Sequence, residues 1–171
     1  EKIKLNKINL NKNYIYDDML HIVYTKNIKI YNSKFSNTYA DAIDIDSSSK
    51  VNISNISVKN AKNDCIDFMQ TNASITNSYF NNCLDKGISV GERSSIEITN
   101  TKITNNLVGI ESKDDSLVNI KNSILKDNET ALNAYQKNWR YGTGGNINYS
   151  KIKFINNLKD IDLDENSNIR K

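Results

Sequence analysis

The chain has 171 residues, a formal net charge of +3 and no proline, and its mean hydropathy is −0.62. The length fits one domain. The small net charge, carried by lysines spread along the chain, argues against a nucleic-acid partner. No apolar run approaches the roughly 18 residues that a membrane-spanning helix needs. We therefore expect a single domain over residues 1–171 with neither a membrane span nor a nucleic-acid partner.

A short apolar–polar–apolar triplet recurs along the whole chain. Its copies start at residues 3, 28, 51, 73, 96, 118 and 147, which are 22 to 29 residues apart. Repeats of this period are typical of solenoid proteins. The alternation has the two-residue period of a β-strand, and no stretch keeps the 3.6-residue period of a helix.

Two further apolar sites in each repeat predict a second and a third strand. The second strand supplies one inward position per repeat: Leu10, Phe35, Val58, Phe80, Ile103, Leu125 and Phe154. The third strand supplies inward pairs such as Ile43/Ile45 and Ile66/Phe68. The sequence therefore predicts an all-β solenoid of about seven coils of 22–25 residues, with one longer coil.

Asparagine recurs at the end of the first strand and again after the second. The first column is Asn32, Asn55, Asn77, Asn100 and Asn122, and the second begins with Asn37, Asn60, Asn82 and Asn105. Asparagine tolerates left-handed backbone and can hydrogen-bond its neighbours through its amide. These columns predict turn ladders that run along the solenoid.

The coil length, the inward Ile, Val and Phe columns and the asparagine ladders resemble those of a right-handed parallel β-helix, over all seven coils. Several segments also resemble one branch of bacterial extracytoplasmic β-helix domains, some of which accompany spore-coat-type kinase domains: DKGISVGE at 85–92, GIESKD at 109–114, AYQK at 134–137 and YG at 141–142. The wider pectate-lyase-like superfamily includes lyases, polygalacturonases and mannuronan epimerases. None of their catalytic signatures is matched in full, so the resemblance implies no catalytic residue.

The third strand presents a polar column outward: His21, Asp44, Asp67, Ser89, Glu111, Asn133 and Asp162. A second column, at the corner before this strand, contains Asp18, Asp41, Asp64 and Lys86. Parallel strands stack about 4.8 Å apart, and two like charges at that distance repel by roughly 3.5 kcal/mol at an effective dielectric constant of 20. Half-buried aspartates in such a column require a cation, a lysine or a shared proton.

Three interpretations of these aspartates stay open. Asp18, Asp41 and Asp64 can accept hydrogen bonds from turn N–H groups, with Lys86 as a counter-ion. They can instead form an oxygen cage for a hard cation such as Ca²⁺, so the expected cofactor is none or Ca²⁺. In the third interpretation, a pair such as Asp44 and Asp67 has a split or raised pKa and performs acid–base work on a sugar.

His21 is the only histidine, and it lies one coil from Asp44 in the same column. An imidazole beside a carboxylate suits general acid–base catalysis. A lone polar surface histidine is the alternative. The catalytic hypothesis therefore comprises Asp44, Asp67 and His21, with Lys113 or Tyr135 from a neighbouring outward column to neutralise the substrate or move a proton.

The residues that follow this strand in later coils predict a substrate groove. Glu92 and Arg93 lie in the turn, and Glu111 belongs to the outward column of the next coil. Carboxylates, lysines and tyrosines along one sheet face are typical of a surface that binds an extended polymer. We expect Glu92, Arg93 and Glu111 to contact such a polymer.

The sixth coil carries an insertion at residues 137–145 that we expect to project as a loop beside this groove. Trp139 and Tyr141 would stack on sugar rings, and Lys137 and Arg140 would meet carboxylates or phosphates. The alternative is a loop that folds back and covers the solenoid.

The two cysteines, Cys65 and Cys83, fall in adjacent coils but at offsets four residues apart. That offset predicts a separation beyond the roughly 7 Å between Cα atoms that a disulfide allows. We therefore expect two free thiols, Cys65 on a strand and Cys83 in a turn.

These patterns favour a carbohydrate-interacting module of a bacterial extracytoplasmic or surface protein, with an anionic polysaccharide or another glycan as its partner. If it is an enzyme, we expect a polysaccharide lyase, epimerase or glycoside hydrolase. The competing class is a non-enzymatic structural or adhesin segment. The first residues already alternate as a strand, and Ile169 resembles the start of an eighth coil. We therefore expect the chain to be a fragment of a longer protein with other domains.

Overall fold

The computed structural model describes residues 2–12 and 17–171. This part of the chain forms 22 β-strands and no helix, and so offers no helical segment that could cross a membrane. The strands form three parallel sheets, here called A, B and C, and each coil contributes one strand to each sheet. The prediction of an all-β solenoid with seven coils is confirmed.

The strand bounds follow the repeat. Sheet A contains β1 (Ile3–Asn6), β4 (Ile28–Tyr31), β7 (Val51–Ser54), β10 (Asn72–Thr76), β13 (Ser95–Thr99), β16 (Leu117–Lys121), β19 (Asn146–Ser150) and β22 (Asn168–Arg170). Sheet B contains β2 (Asn9–Asn11), β5 (Lys34–Thr38), β8 (Ser57–Ala61), β11 (Tyr79–Asn81), β14 (Lys102–Thr104), β17 (Ile124–Lys126) and β20 (Lys153–Ile155). Sheet C contains β3 (His21–Val23), β6 (Asp44–Asp46), β9 (Asp67–Met69), β12 (Lys86–Gly91), β15 (Val108–Lys113), β18 (Thr130–Tyr135) and β21 (Lys159–Leu163).

The strand register stacks equivalent residues of successive coils on one another. In sheet A, Ile30 pairs with Ile53, and in sheet B Phe80 pairs with Ile103. Ile147 pairs with Ile169, so β22 begins a further coil as predicted. Inward apolar positions of one coil therefore stack on inward apolar positions of the next.

The core is a set of aliphatic and aromatic columns inside the solenoid. Ile30, Ile45, Phe68 and Phe80 are completely buried, whereas Lys29, which precedes Ile30 in the same strand, is exposed. Burying one such apolar side chain contributes about 1.5–3 kcal/mol. The alternation in each strand therefore directs its apolar side chains into the solenoid.

The corner between sheets A and B carries the first asparagine ladder. Its five members, Asn32 to Asn122, have φ angles between 50° and 53°, in the left-handed region that asparagine tolerates. The Asn55 amide donates to the Asn32 side-chain oxygen at 2.7 Å. The predicted turn ladder is confirmed here.

The corner between sheets C and A contains a buried column of hydroxyl side chains that the sequence patterns did not reveal: Thr25, Ser48, Thr71, Ser94 and Ser116. The backbone N–H of each of the first four residues donates to the hydroxyl oxygen of the next, at 3.0–3.1 Å. The Ser48 hydroxyl in turn donates to the backbone oxygen of Asp46. A side chain of one coil thus satisfies a buried donor of the preceding coil.

The corner between sheets B and C is built differently in its two halves. In the first three coils aspartates accept the backbone N–H groups of the following coil. The Asp41 N–H donates to Asp18 Oδ1, the Asp64 N–H to Asp41 Oδ1, and the Lys86 N–H to Asp64 Oδ1, at 2.7–3.2 Å. The interpretation of these aspartates as turn acceptors agrees with this geometry.

In the later coils asparagines replace the aspartates at this corner, and the hydrogen bonds between coils run in the opposite direction along the solenoid. The backbone N–H of Cys83 donates to Asn106 Oδ1, that of Asn106 to Asn128 Oδ1, and that of Asn128 to Asn157 Oδ1, at 3.0–3.1 Å. Here the later coil supplies the acceptor for the earlier one. The fourth coil is therefore held from both sides at this corner.

The prediction of two free thiols is wrong, because Cys65 and Cys83 form a disulfide with a Cα–Cα distance of 5.5 Å. Both side chains are buried. Cys83 lies at the corner position that Asn106 and Asn128 occupy in later coils, and the chain turns sharply between there and sheet C. Four residues of offset around a corner therefore span far less distance than four residues along a strand.

Candidate functional site

Sheet C brings the predicted polar column into one line across seven coils. His21 pairs with Asp44, Asp44 with Asp67, and Asp67 with Ser89. The line continues through Glu111, Asn133 and Asp162. Ser89 and Glu111 are only 0% and 3% exposed, so the middle of this face is covered by its own side chains.

At the first coil, the imidazole of His21 lies between two carboxylates of the next coil. Its Nε2 atom is 3.3 Å from Asp44 Oδ2 and 3.2 Å from Asp46 Oδ2. Burial alone would lower the pKa of His21, but the hydrogen bond to Asp46 and the negative charge of Asp44 outweigh it and raise the pKa. The protonated imidazole is therefore favoured between these carboxylates.

Asp44 is the most unusual carboxylate of this group. Burial, together with the charges of Asp46 and Asp67, raises its pKa to about 7. Its Oδ1 atom is buried and has no hydrogen-bond partner in the part of the chain that the structure describes. A carboxyl group in this state can hold or release a proton near neutral pH, which is what general acid–base chemistry requires.

Deeper in the corner, Asp41 and Asp64 lie one above the other. Burial raises the pKa of Asp41 to about 6 and that of Asp64 to about 8. The Nζ atom of Lys86 is 3.8 Å from Asp64 Oδ1, and its charge opposes the rise for Asp64. Lys86 thus ends the aspartate column as the expected counter-ion.

The structure divides the residues of the predicted cation cage between two groups. Asp18 joins His21 and Asp44, whereas Asp41 and Asp64 join Asp67, and in each group the ligand atoms lie within 4.8 Å of one another. The second group offers only oxygen atoms, which suits a hard cation such as Ca²⁺. Its three carboxylates would supply part of the six to eight oxygens that Ca²⁺ takes.

In the fifth and sixth coils, several predicted residues converge on the carboxylate of Glu111. Lys113 Nζ lies 3.3 Å from its Oε1 atom, and the Tyr135 hydroxyl donates to the same atom at 3.3 Å. Asn133 donates to Oε2 at 3.4 Å. The predicted residues Glu111, Lys113 and Tyr135 therefore form one cluster, about two coils from Asp67.

Lys113 is buried, and its ammonium also donates to the Ser89 hydroxyl at 2.9 Å. Burial alone would lower the pKa of Lys113, but the charges of Asp67 and Glu111 outweigh it and raise the pKa. Burial and the charge of Glu111 raise the pKa of Tyr135. Lys113 thus supplies a fixed positive charge beside Glu111 and Ser89, and Tyr135 a neutral hydroxyl.

The turn after sheet C places Glu92 and Arg93 beside the sixth-coil loop. Burial raises the pKa of Glu92, and the charge of Lys113 opposes the rise. Arg93 Nε lies 3.5 Å from Asp115 Oδ2, and its guanidinium is 5.4 Å from the centre of the Tyr141 ring. Arg93 therefore links the turn to the loop.

The loop at residues 136–145 folds back onto two aspartates of the fifth coil. Asp114 Oδ1 accepts the backbone N–H groups of Lys137 and Asn138 at 2.8 Å, and Asp115 accepts those of Gly142 and Thr143. The base of the loop is thus anchored to the fifth coil.

The tip of the loop stays open to solvent. The Trp139 residue is 87% exposed, and Lys137 and Arg140 are exposed as well. The loop therefore presents one aromatic and two cationic side chains on a base that hydrogen bonds hold in place.

Some residues of this surface were not among the predicted site residues. Asp46 shares His21 with Asp44, and Ser89 binds Lys113. Their outward positions in the alternation of each strand could have identified both as residues of this face from the sequence. Asp114 and Asp115 had no such signal, because their role depends on the loop that comes 22 or more residues later.

The comparisons with known proteins agree with the architecture. A structural neighbour is described as "Crystal structure of pectate lyase Pel9A"; it has a TM-score of 0.55 and 9% sequence identity, and the alignment covers 100% of this chain and 66% of that one. The chain thus spans slightly less than two thirds of that protein, and the likeness concerns the fold alone. No curated protein matches in sequence. Residues 18–170 match the family model described as "Right handed beta helix region", and the chain therefore belongs to the right-handed β-helix family.

Proposed function

We propose that this chain is a carbohydrate-binding β-helix module that takes a linear anionic polysaccharide along the outer face of sheet C. The observation that carries the proposal is the line of polar and charged side chains from His21 through Glu111 to the sixth-coil loop. The line crosses successive coils about 4.8 Å apart. A straight array of this kind matches a polymer better than a small molecule.

The loop end of the line would make the first contacts. Exposed Trp139 can stack on a sugar ring, because an aromatic side chain offers a large apolar face. Lys137 and Arg140 can meet the carboxylates of the polymer, and the anchored base of the loop lowers the entropy cost of binding.

The aspartate end of the line repels an anionic polymer unless its charge is reduced. Raised pKa values of about 7 for Asp44 and about 8 for Asp64 favour protonated carboxyl groups there. Alternatively, Asp41, Asp64 and Asp67 would hold Ca²⁺. Bound Ca²⁺ would supply positive charge that offsets the repulsion.

A second candidate function, catalysis on the same polymer, is favoured by the pair of His21 and Asp44. A protonated imidazole 3.3 Å from a carboxyl group with a pKa of about 7 is suited to proton transfer. The reaction would be that of a polysaccharide lyase, epimerase or glycoside hydrolase. The competing class is a structural or adhesin segment, for which the polar line has no ligand.

The disulfide supports an extracytoplasmic location. Disulfides persist in oxidising compartments and are rare where cellular thiols keep cysteines reduced. Cys65–Cys83 is buried and links two coils of the solenoid. We propose accordingly that the module belongs to a secreted or surface protein.

The test is binding to a panel of polygalacturonate, alginate and neutral dextran, measured by calorimetry with and without Ca²⁺. We expect binding to the anionic polymers, weakened about tenfold by Trp139→Ala, and no binding to dextran. Leu158→Ala, which removes another exposed apolar side chain (85% exposed), is the control and should leave affinity unchanged. Absence of binding to every anionic polymer would support the scaffold class.

Product analysis separates the two candidate functions. A catalyst should release unsaturated or shortened sugars, or change the epimer composition, and Asp44→Asn should abolish this change. If the polymer binds and is recovered unaltered, the chain is a binding module and the acid–base hypothesis is wrong.

A further inference from the structure

A second groove runs along the outside of the corner between sheets A and B, away from the polar line of sheet C. Its volume is about 680 Å³, and it spans coils one to six, from Lys7 to Asn122. One wall is the asparagine ladder. The other wall is the column of residues that begin the sheet B strands.

The sheet B wall is set by strand register. Lys34 pairs with Ser57, Ser57 with Tyr79, and Tyr79 with Lys102. Lys34 and Lys102 are therefore three coils apart, roughly 14 Å along the groove. The Tyr79 ring lies between them, 5.5 Å from the Lys102 ammonium.

The asparagine wall is only partly occupied by its own hydrogen bonds. Asn32 and Asn55 are linked through their amides, and Asn32 also donates to Asn6. The side chains of Asn77, Asn100 and Asn122 are exposed and make no hydrogen bond within residues 2–12 and 17–171. Three amides at successive coil spacings are therefore free to donate to and accept from a ligand.

The charge of this groove differs from that of sheet C. Lys7, Lys34 and Lys102 line it, and no aspartate or glutamate does. None of the three lysines forms an ion pair with the described residues. An anion that enters the groove meets positive charge without a competing carboxylate.

We propose that this groove is a binding site for a linear anionic glycan. Amide side chains match sugar hydroxyls, because each amide offers both donors and acceptors. Lys34 and Lys102 are placed to meet carboxylates several sugar units apart. A nucleic acid would require a denser row of cations and more stacking aromatic groups than one tyrosine.

The inference does not depend on the function proposed for sheet C, because the two surfaces share no residue. If both are correct, the solenoid holds two polymer segments on different faces. Binding of the second segment would then raise the apparent affinity for a long chain through effective concentration.

The probe is an oligogalacturonate, titrated at low salt into the isotope-labelled protein. We expect the side-chain amide signals of Asn77, Asn100 and Asn122 to shift. The double variant Lys34→Ala/Lys102→Ala should weaken the binding of oligogalacturonate, followed by these shifts, about tenfold. Lys29→Ala/Lys50→Ala removes two exposed lysines outside the groove and is the charge-matched control. Its affinity for oligogalacturonate should stay within about twofold of that of the parent protein.

The outcomes separate the two proposals. If the groove variant weakens the amide shifts while Trp139→Ala does not, the groove binds oligogalacturonate independently of the outer face of sheet C. Equal weakening by the two lysine pairs, or no shift of the three amides, would overturn the groove site. A single-stranded oligonucleotide that shifts the same amides at least as strongly would overturn the assignment to a glycan.

Discussion

At the corner between sheets B and C, backbone N–H groups of one coil are bonded by side chains of a neighbouring coil, and the two halves of the solenoid use chemically different acceptors. In coils one to three, the carboxylates of Asp18, Asp41 and Asp64 accept backbone N–H groups of the following coil. In coils five to seven, the amides of Asn106, Asn128 and Asn157 accept those of the preceding coil. The difference shows that the corner requires an acceptor but no charge.

The two kinds of acceptor differ in the electrostatic free energy that their burial costs. A buried amide satisfies the corner and stays neutral, whereas burial raises the pKa of Asp64 to about 8 and thereby opposes its ionisation. Carboxylates in the first half therefore carry an electrostatic cost that the second half avoids. That cost supports a role for these aspartates beyond the turn, such as binding a cation or moving a proton.

The largest expected effect comes from placing a charge in the amide half. Asn128 is 2% exposed, and its amide nitrogen donates to Ile103 O and to Asn157 Oδ1. Asn128→Asp should cost about 4 kcal/mol at pH 8, because it removes two donors and buries a carboxylate. Thermal unfolding at pH 8 and pH 5 measures this, and the loss should be smaller at pH 5.

The exposed asparagine ladder provides the control for that change. Asn122→Asp makes the same substitution at an exposed position of the corner between sheets A and B, and it should change stability by less than about 0.5 kcal/mol. Equal losses for the two variants would mean that burial does not separate the two kinds of corner.

The next effect concerns the disulfide at the coil where the two halves meet. Cys65→Ala/Cys83→Ala opens a cross-link with a sequence separation of 18, which should cost about 3 kcal/mol and lower Tm by about 6–12 °C. Calorimetry of the oxidised protein and of the variant measures this difference. A Tm within about 2 °C of the parent would show that the fourth coil is held without the cross-link, by its hydrogen bonds and its buried apolar side chains.

The smallest effect is a gain in stability on replacing a charge by an amide in the aspartate half. The folded pKa of Asp64, about 8, lies above the ordinary value of about 4. The folded state thus binds the proton more tightly, and stability falls as pH rises from about 4 to 8. Asp64→Asn should therefore raise stability by about 1–2 kcal/mol at pH 8 and by little at pH 4.5.

Urea unfolding of Asp64→Asn and the parent at the two pH values measures this gain. The introduced amide would keep an acceptor for the Lys86 N–H, so the corner hydrogen bond is matched. A gain of the same size at both pH values would contradict the assignment to ionisation.

The repeat itself could be predicted because strand register conserves offset. Ile30, Ile53 and Ile75 recur at nearly constant spacings in sheet A, and the same spacing placed His21 beside Asp44. Any residue on a strand could therefore be assigned its neighbours in the next coil. This is why the polar line of sheet C was found from the sequence.

Corners and long side chains could not be predicted in this way. The distance between Cys65 and Cys83 depends on how sharply the chain turns, which offset alone does not reveal. The burial of Lys113 depends on Gly91, where an added Cβ would lie 2.6 Å from Lys113 Cε. The missing side chain gives the lysine room to lie across the face and reach Ser89.

The hydroxyl column at the corner between sheets C and A has a consequence for synthesis on the ribosome. The N–H groups of Thr25, Ser48 and Thr71 each donate to a hydroxyl of the coil that is translated afterwards. A newly emerged coil therefore holds a donor whose partner does not yet exist, and only the arrival of the next coil completes it. At the most recent coil of the growing solenoid, this backbone donor thus stays without its hydroxyl acceptor until the next coil folds onto it.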